Sequence, residues 1–152
     1  DVPVIDAALS RFAALVGGDP SASGAGAAGG AGFGLQVWGA RLVSGSATIA
    51  ELLGLRETLG EASIVVTGEG SYDAQSSAGK APAHVAALAE SVGIPALLAA
   101  GRIAPDADLS PFADAVSLTD LAGSGQAALA QPREWLQAAG AALARRASTS
   151  VA

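Results

Sequence analysis

The amino-acid sequence predicts an α/β fold, with a layered, Rossmann-like parallel sheet and flanking helices. Two short apolar runs, residues 63–67 and 94–100, have the character of parallel strands, and a helical pattern over residues 82–92 separates them. The composition agrees with this prediction. A chain of 152 residues with 51% hydrophobic and 14% charged side chains can bury a core and is untypical of a disordered protein.

Composition and charge exclude several classes of function. The absence of cysteine excludes a disulfide scaffold, a thiolate metal site and a cysteine nucleophile. A net charge of −6 argues against a nucleic-acid partner, because binding to phosphates needs basic side chains. No uninterrupted apolar stretch reaches the roughly 18 residues of a membrane-spanning helix, so we expect no membrane partner.

The amino-terminal third is predicted to be helical with a glycine-rich interruption. Residues 4–16 place apolar side chains at helical spacing, and Gly17 and Gly18 are typical of a helix end. Residues 24–39 contain seven glycines, which are costly inside a helix. This segment therefore predicts either a loop or a glycine-lined helix start that another group approaches closely.

A short helix is predicted before the best strand of the chain. Residues 49–55 carry its apolar side chains, and Thr48 and Glu51 stand at capping-box spacing. The strand at 63–67 is predicted to end at Gly68.

The second half of the chain continues the alternation of helix and strand. Pro82 suits the first turn of a helix that Gly93 closes. The second strand, 94–100, is predicted to end at Gly101, and a weaker third strand follows at 115–118.

A last helix is predicted to start near Pro132. Its inward face is expected to carry four apolar side chains: Trp135, Leu136, Ala139 and Leu143. We expect residues 1–147 to form a single α/β region and residues 148–152 to form a frayed tail.

The most informative segment for function, residues 67–80, follows the best strand. Ligands of open parallel sheets bind outside the carboxyl ends of the strands, which is where this segment is expected. Its carboxylates, Glu69 and Asp73, could hold Mg²⁺ or orient a hydroxyl group. Lys80, the only lysine, could reach a phosphate from the start of the next helix. This combination fits phosphoryl transfer, in which a protein mainly positions groups and neutralises charge.

Alternative interpretations of these residues remain open. A polar loop between a strand and a helix is often merely solvated, and Gly79-Lys80 lacks the spacing and the following hydroxyl residue of a Walker A loop. Gly24-x-Gly26-x-x-Gly29 matches a dinucleotide fingerprint but follows no convincing strand, so close helix packing is as good an interpretation as phosphate binding. His84 is expected at the surface or behind the site.

Two motifs resemble those of bacterial glycerate kinases. The signature segment of that family is similar to Thr67-Gly68-Glu69-Gly70, Asp73-Ala74-Gln75 and Gly79-Lys80-Ala81-Pro82 in this sequence. Upstream, Gly24-Ala25-Gly26-Ala27-Ala28-Gly29-Gly30 resembles a second characteristic segment at the expected distance. The resemblance covers residues 1–103 in clear register and the remainder more loosely.

The resemblance implies a cytoplasmic enzyme that uses ATP and Mg²⁺ to phosphorylate D-glycerate, with 2-phosphoglycerate as the favoured product. Members of the family have two α/β domains with the active site between them, and they are more than twice as long as this chain. We therefore expect the chain to be the carboxyl-terminal portion of such a kinase. Its partner would be the missing amino-terminal region, and the fragment would be inactive alone.

The resemblance also assigns roles to individual residues. Glu69, Asp73 and Lys80 are the expected catalytic residues: the two carboxylates would bind Mg²⁺ or position a hydroxyl, and the lysine would neutralise phosphate charge. The expected substrate- or nucleotide-binding positions are Gly24, Gly26, Gly29, Gly30, Gly68, Gly70, Gln75 and Gly79.

One departure from the family pattern concerns charge. Ser71-Tyr72 stands where the family usually has arginine followed by an apolar residue, and Arg102 is a candidate for supplying the lost positive charge. Two other functions compete with the kinase. One is a non-catalytic ligand-binding or structural module with a drifted loop, and the other is a nicotinamide-linked oxidoreductase based on the glycine fingerprint.

Overall fold

The computed structural model describes the backbone of residues 2–74 and 80–150. The chain divides into two compact units, residues 1–45 and residues 46–152. None of the helices in the described part of the chain is long and apolar enough to cross a bilayer.

The first unit is built from two helices, α1 (Val2–Val16) and α2 (Ala27–Val37). Its buried core consists of Ala13, Ala25 and Phe33. The Phe33 ring meets the ring of Phe12 edge-to-face, with 6.1 Å between their centroids. The helix predicted over residues 4–16 is therefore confirmed, but it supplies only Ala13 to this small core, and most of its apolar side chains are exposed.

The glycine-rich segment combines both predicted alternatives, because it turns first and then becomes helical. Gly29 and Gly30 have φ of +68° and +96°, so the segment is not regular helix before residue 31. Farther along, a Cβ added at Gly32 would collide with the carbonyl oxygen of Gly24. The group that approaches Gly32 closely is thus the unit's own backbone. No strand precedes the fingerprint within residues 2–45, so the context that dinucleotide binding requires is absent there.

The second unit alternates helices with three strands, which confirms the predicted α/β class. Its elements in chain order are α3 (Gly45–Leu52), α4 (Leu55–Gly60), β1 (Val65–Tyr72), α5 (Ala81–Val92), β2 (Ala96–Ile103), β3 (Asp114–Ser117), α6 (Leu118–Ala122), α7 (Gly125–Ala130) and α8 (Pro132–Ser150). Thr48 lies inside α3 instead of capping it, so the predicted capping box is wrong.

The strands form a parallel sheet in the order β1-β2-β3, and both of its faces are covered. Leu98 packs with Ala86 and Ala89 of α5 on one face. The adjacent Leu97 packs with Ala139 and Leu143 of α8 on the other. Neighbouring residues of β2 thus serve opposite cores, which explains why its sequence is continuously apolar rather than alternating.

Two glycines that the sequence suggested as strand ends lie inside the strands. β1 continues past Gly68 to Tyr72, and β2 continues past Gly101 to Ile103. A Cβ at Gly68 would collide with the carbonyl oxygen of Ala99, and one at Gly101 would lie 2.5 Å from the carbonyl oxygen of Gly70. These glycines are required by close backbone approach between the strands, so the predicted ends were wrong.

The last helix confirms part of its predicted inward face. Ala139 and Leu143 are buried, and Trp135 is half-buried beside them. Helix α8 extends to Ser150, and residues 151 and 152 lie outside the described residues.

Candidate active site

The segment predicted to carry the chemistry begins inside β1 and continues to the first turn of α5. Glu69 and Ser71 are strand residues, Asp73 follows the strand directly, and Lys80 is the residue before α5. Because β1 and β2 are parallel, these positions lie at the carboxyl edge of the sheet, where ligands of this architecture bind.

Asp73 and Lys80 are brought together by the fold. The Nζ atom of Lys80 lies 3.7 Å from Oδ1 of Asp73, with 45% and 36% of the two side chains exposed. An ion pair this open to water contributes little to stability, about 0–1 kcal/mol, so its ammonium can be shared with an incoming anion at small cost. Lys80 also stands at the amino terminus of α5, where the helix dipole favours negative charge.

Glu69 carries the most unusual polar atom of the site. Its Oε1 is buried and has no hydrogen-bond partner among the described residues. A buried acceptor without a donor is costly, so this position favours a ligand that supplies a hydroxyl, an N–H group or a cation. Burial raises the pKa of the Tyr72 phenol, and the negative charges of Asp108 and Glu69 raise it further.

Ser71 and Arg102 are register partners on β1 and β2. The guanidinium Nη2 of Arg102 donates a hydrogen bond of 3.0 Å to the Oγ of Ser71. The expectation that Arg102 places a positive charge at position 71 therefore has a geometric basis. Chain sequence alone could suggest the residue, but only the strand register shows that its side chain reaches Ser71.

The remaining predicted binding positions fall in three places. Gly68 and Gly70 lie in β1 of the second unit. Gln75 and Gly79 lie outside the described residues. The other four are in the first unit, where three have positive φ and Gly26 precedes α2: Gly24, Gly26, Gly29 and Gly30.

The carboxylates of the site are the groups that a Mg²⁺ ion would bind. Within residues 2–74 and 80–150, no three His, Asp or Glu side chains are grouped closely enough to hold a metal. Glu69 and Asp73 nevertheless provide carboxylate oxygens, and Mg²⁺ commonly takes one or two such ligands together with waters and substrate phosphates. The unpartnered Oε1 of Glu69 is one oxygen available for that purpose.

A groove beside β1 was not predicted from the sequence. It has a volume of about 440 Å³ and is lined by Val66, Gly68, Gly70, Leu118 and Leu136, among others. Leu136 is 54% exposed there, so the prediction that it faces the core is wrong. Its lining comes from β1, α6 and α8, which are far apart in sequence, and no local pattern could have grouped them.

The single histidine follows Lys80 by one helical turn, and its backbone N–H donates a hydrogen bond of 3.2 Å to the Lys80 carbonyl oxygen. His84 is half-buried on α5 and lines a cavity of about 260 Å³ with side chains of α3 and α4, including Glu51 and Glu57. Neither Glu69 nor Lys80 lines that cavity.

Comparison with known proteins identifies the family. The model of the glycerate kinase family matches residues 1–148. An uncharacterized protein of Mycobacterium bovis is 38% identical over 149 residues, which cover 96% of this chain and 38% of that protein. The glycerate kinase of Haemophilus influenzae is 39% identical over 114 residues, covering 71% of this chain and 30% of the enzyme. The glycerate 2-kinase of Escherichia coli is 42% identical over 84 residues, covering 55% and 22%.

A solved structure agrees with these relatives. The crystal structure of "putative glycerate kinase 2" from Salmonella typhimurium LT2 matches with a TM-score of 0.51 and 34% identity, covering 74% of this chain and 30% of that one. The chain spans 38% or less of the length of each of these proteins. The two motifs, the parallel sheet and the match over residues 1–148 lead to one conclusion: the chain belongs to the glycerate kinase family.

Proposed function

We propose that this chain provides the β1–α5 part of a kinase active site that transfers the γ-phosphoryl group of ATP to glycerate, giving 2-phosphoglycerate. The observation that carries the proposal is the buried Oε1 of Glu69, which has no hydrogen-bond partner among residues 2–74 and 80–150 and lies on the same segment as the Asp73–Lys80 pair. An acceptor hydroxyl would supply the donor that this oxygen lacks. The names of the relatives support glycerate as the substrate class.

The reaction exchanges one phosphorus–oxygen bond for another. The glycerate hydroxyl oxygen forms a bond to the γ-phosphorus as the bond to the bridging oxygen of ADP breaks, and the hydroxyl proton leaves to a carboxylate. Glu69 would accept a hydrogen bond from that hydroxyl and hold it in line for attack, since positioning supplies much of the catalysis in such reactions.

Lys80 and Asp73 would act on the charge of the phosphates. In this role the ammonium of Lys80 turns from Asp73 toward a phosphoryl oxygen, helped by the amino terminus of α5. Bound Mg²⁺, for which Asp73 and the other carboxylate oxygen of Glu69 are the proposed ligands, would neutralise charge on the nucleotide. We propose that Gln75 and Gly79, with Gly68 and Gly70, are also among the residues that contact the reactants.

Activity is proposed for a protein of the relatives' length, because the chain spans 38% or less of them. An amino-terminal region would then complete the site, and the whole enzyme would act in the cytoplasm. We expect the 152 residues alone to show no turnover.

The test is steady-state kinetics in a full-length protein that carries these residues. Lys80→Ala and Asp73→Asn should each lower kcat/KM at least about a hundredfold, the usual loss when a charge is removed from a phosphoryl-transfer site. Glu90→Gln, at the other end of α5, removes one negative charge as Asp73→Asn does and should change the rate by less than about twofold.

Two results would contradict the proposal. Near-normal rates in both Lys80→Ala and Asp73→Asn would show that the assigned residues are not the catalytic ones. A wild-type protein that binds glycerate or ATP without forming ADP would favour the non-catalytic module. Phosphorus NMR of the product would show whether the 2-hydroxyl or the 3-hydroxyl is the acceptor.

A further inference from the structure

Arg102 is the second cation at the carboxyl edge of the sheet, after Lys80. Its hydrogen-bond partner differs in charge from that of Arg146 in the same unit. Arg146 directs Nη1 at both carboxylate oxygens of Asp114, at 2.9 and 3.2 Å, so its charge is matched within the protein. Arg102 donates to the neutral hydroxyl of Ser71. Within the described residues, no carboxylate lies in ion-pair distance of Arg102.

The contact with Ser71 fixes where this unmatched charge is held. Ser71 and Arg102 face each other across β1 and β2, two residues beyond the register pair of Glu69 and Ala100. Glu69 and Ser71 are two residues apart at the carboxyl end of β1. The guanidinium is thus held at the edge of the sheet where Glu69 lies, whose Oε1 has no hydrogen-bond partner among the described residues.

We propose that Arg102 is an anion-binding residue of the active site, which Ser71 positions so that its remaining N–H groups bind an oxyanion of the reactants. The oxyanion is either the carboxylate of the hydroxy acid or a phosphate of the nucleotide, since a guanidinium fork binds both in the same bidentate way. The inference rests on the proposed kinase function, to which it adds a residue that recognises substrate.

The site geometry explains why an arginine serves here and a lysine would not. One N–H of the planar guanidinium is used by Ser71, and the rigid group then directs its other donors in a fixed plane. An ammonium on a flexible stem would lose that orientation. Arg102 is exposed, so a small anion can reach it without movement of the core.

The test compares KM values for glycerate and for ATP in the full-length enzyme. Arg102→Ser should raise one of them about 30-fold, the loss in affinity expected for one hydrogen bond to a charged group, with a much smaller change in kcat. Arg145→Ser removes the same charge from α8, one residue from the Arg146–Asp114 pair, and should leave both KM values within about twofold.

The exchange of the two residues is the sharpest variant. Because Ser71 and Arg102 are register partners, the double variant Ser71→Arg with Arg102→Ser keeps one guanidinium and one hydroxyl across the same strand pair. It should restore the KM to within about fivefold of wild type, whereas Arg102→Ser alone does not. Ser71→Ala should raise the same KM about threefold. Ser71→Thr keeps the hydroxyl and should leave this KM near the wild-type value.

Each outcome decides the proposal. A raised KM for glycerate alone identifies the carboxylate as the ligand, and a raised KM for ATP alone identifies the phosphate. Unchanged KM values in Arg102→Ser, in an enzyme whose wild type turns over, overturn the role of Arg102 but leave the proposed function intact. If Arg102→Ser fails to fold, Arg102→Lys replaces it, with an expected rise of about tenfold.

Failure of the kinase function would be recognised separately. A wild type without turnover contradicts the proposed function, and calorimetric titration with glycerate and with ATP then tests Arg102 directly. Weaker binding of either anion to Arg102→Ser than to wild type supports the anion site. Equal binding to both proteins, or no binding to wild type, overturns it.

Discussion

The two glycine-rich segments of the chain use the same residue for opposite reasons. In the first unit, Gly29 and Gly30 are needed for conformation: their φ values are positive, and a Cβ at Gly29 would meet nothing within 4 Å. In the sheet, Gly68 and Gly101 have ordinary strand conformations, but a Cβ at either would strike the backbone of the adjacent strand. Gly29 and Gly30 need freedom of rotation, whereas Gly68 and Gly101 need space.

The difference teaches how to interpret a glycine-rich motif. A glycine that permits positive φ shapes a turn. It can be replaced by another residue that tolerates that conformation. Glycines that permit close approach fix the distance between two strands. At β1, that distance determines how Ser71 meets Arg102.

The largest effect is expected from adding a methyl group at the crowded position. Gly68→Ala should destabilise the second unit by about 3 kcal/mol, because the Ala99 carbonyl can move away only if the β1–β2 pairing shifts. Urea unfolding followed by circular dichroism measures the loss.

Gly70→Ala is the matched control two residues along the same strand. A Cβ at Gly70 meets nothing within 4 Å and φ is not positive, so alanine should be neutral or stabilise by about 0.5 kcal/mol. Equal destabilisation by the two substitutions would show that strand propensity, rather than the contact with Ala99, makes glycine necessary.

A smaller effect is expected at the conformational glycine. Gly29→Ala should cost about 1–2 kcal/mol, the penalty for an alanine in the left-handed region. Gly29→Asn should cost less, because asparagine tolerates this conformation, whereas Gly68→Asn should cost at least as much as Gly68→Ala because asparagine is larger.

Hydrogen exchange, followed separately for peptides of residues 2–45 and 46–150, measures each effect in its own unit. Gly34→Ala within α2, where a Cβ meets nothing within 4 Å, is the control and should stabilise the helix by about 1 kcal/mol. If alanine and asparagine rank in the same order at positions 29 and 68, the two glycines do not differ in the way proposed here.

These contrasts also explain what the sequence could predict of the fold. Local patterns predicted α1, α5 and the α/β class correctly, because helical periodicity, Pro82 and Gly93 act over a few residues. The strand ends were wrong at Gly68 and Gly101, because the reason for each glycine lies on the neighbouring strand. No pattern within one strand contains that information.

The residues of the candidate site also fall into those that the sequence could suggest and those that depend on the assembled sheet. Residue chemistry and motif resemblance selected Glu69, Asp73 and Lys80 in advance, and the fold pairs the latter two at 3.7 Å. The buried oxygen of Glu69 and the reach of Arg102 to Ser71 depend on strand register and burial, which are properties of the assembled sheet.

The aromatic pairs of the two units extend the comparison to packing. Phe12 and Phe33 meet edge-to-face in the first unit, where Phe12 is 48% exposed. Tyr72 and Phe112 have the same geometry, with 5.5 Å between ring centroids, but Tyr72 is fully buried. Its hydroxyl donates a hydrogen bond of 3.2 Å to the carbonyl oxygen of Asp108. The second pair therefore combines apolar packing with a hydrogen bond from the Tyr72 phenol, a group that can lose its proton.

The smallest predicted effect follows from that hydroxyl and depends on pH. Tyr72→Phe should destabilise the second unit by about 1 kcal/mol at neutral pH, through loss of one hydrogen bond. Burial raises the pKa of the Tyr72 phenol above its ordinary value near 10, so the folded state keeps its proton after the unfolded state has released it. The stability that Tyr72 contributes is then fully present below about pH 10 and is lost as the pH rises through the folded-state pKa.

The wild type should accordingly lose stability above pH 10 more steeply than Tyr72→Phe, and the two unfolding curves should converge there. Because Tyr72 is the only tyrosine, the absorbance of tyrosinate during an alkaline titration reports this one group in folded and in urea-unfolded protein. Identical titration curves in the two states would show that the phenol is solvated in the folded protein. The second unit would then resemble the first in having an aromatic pair that packing alone holds together.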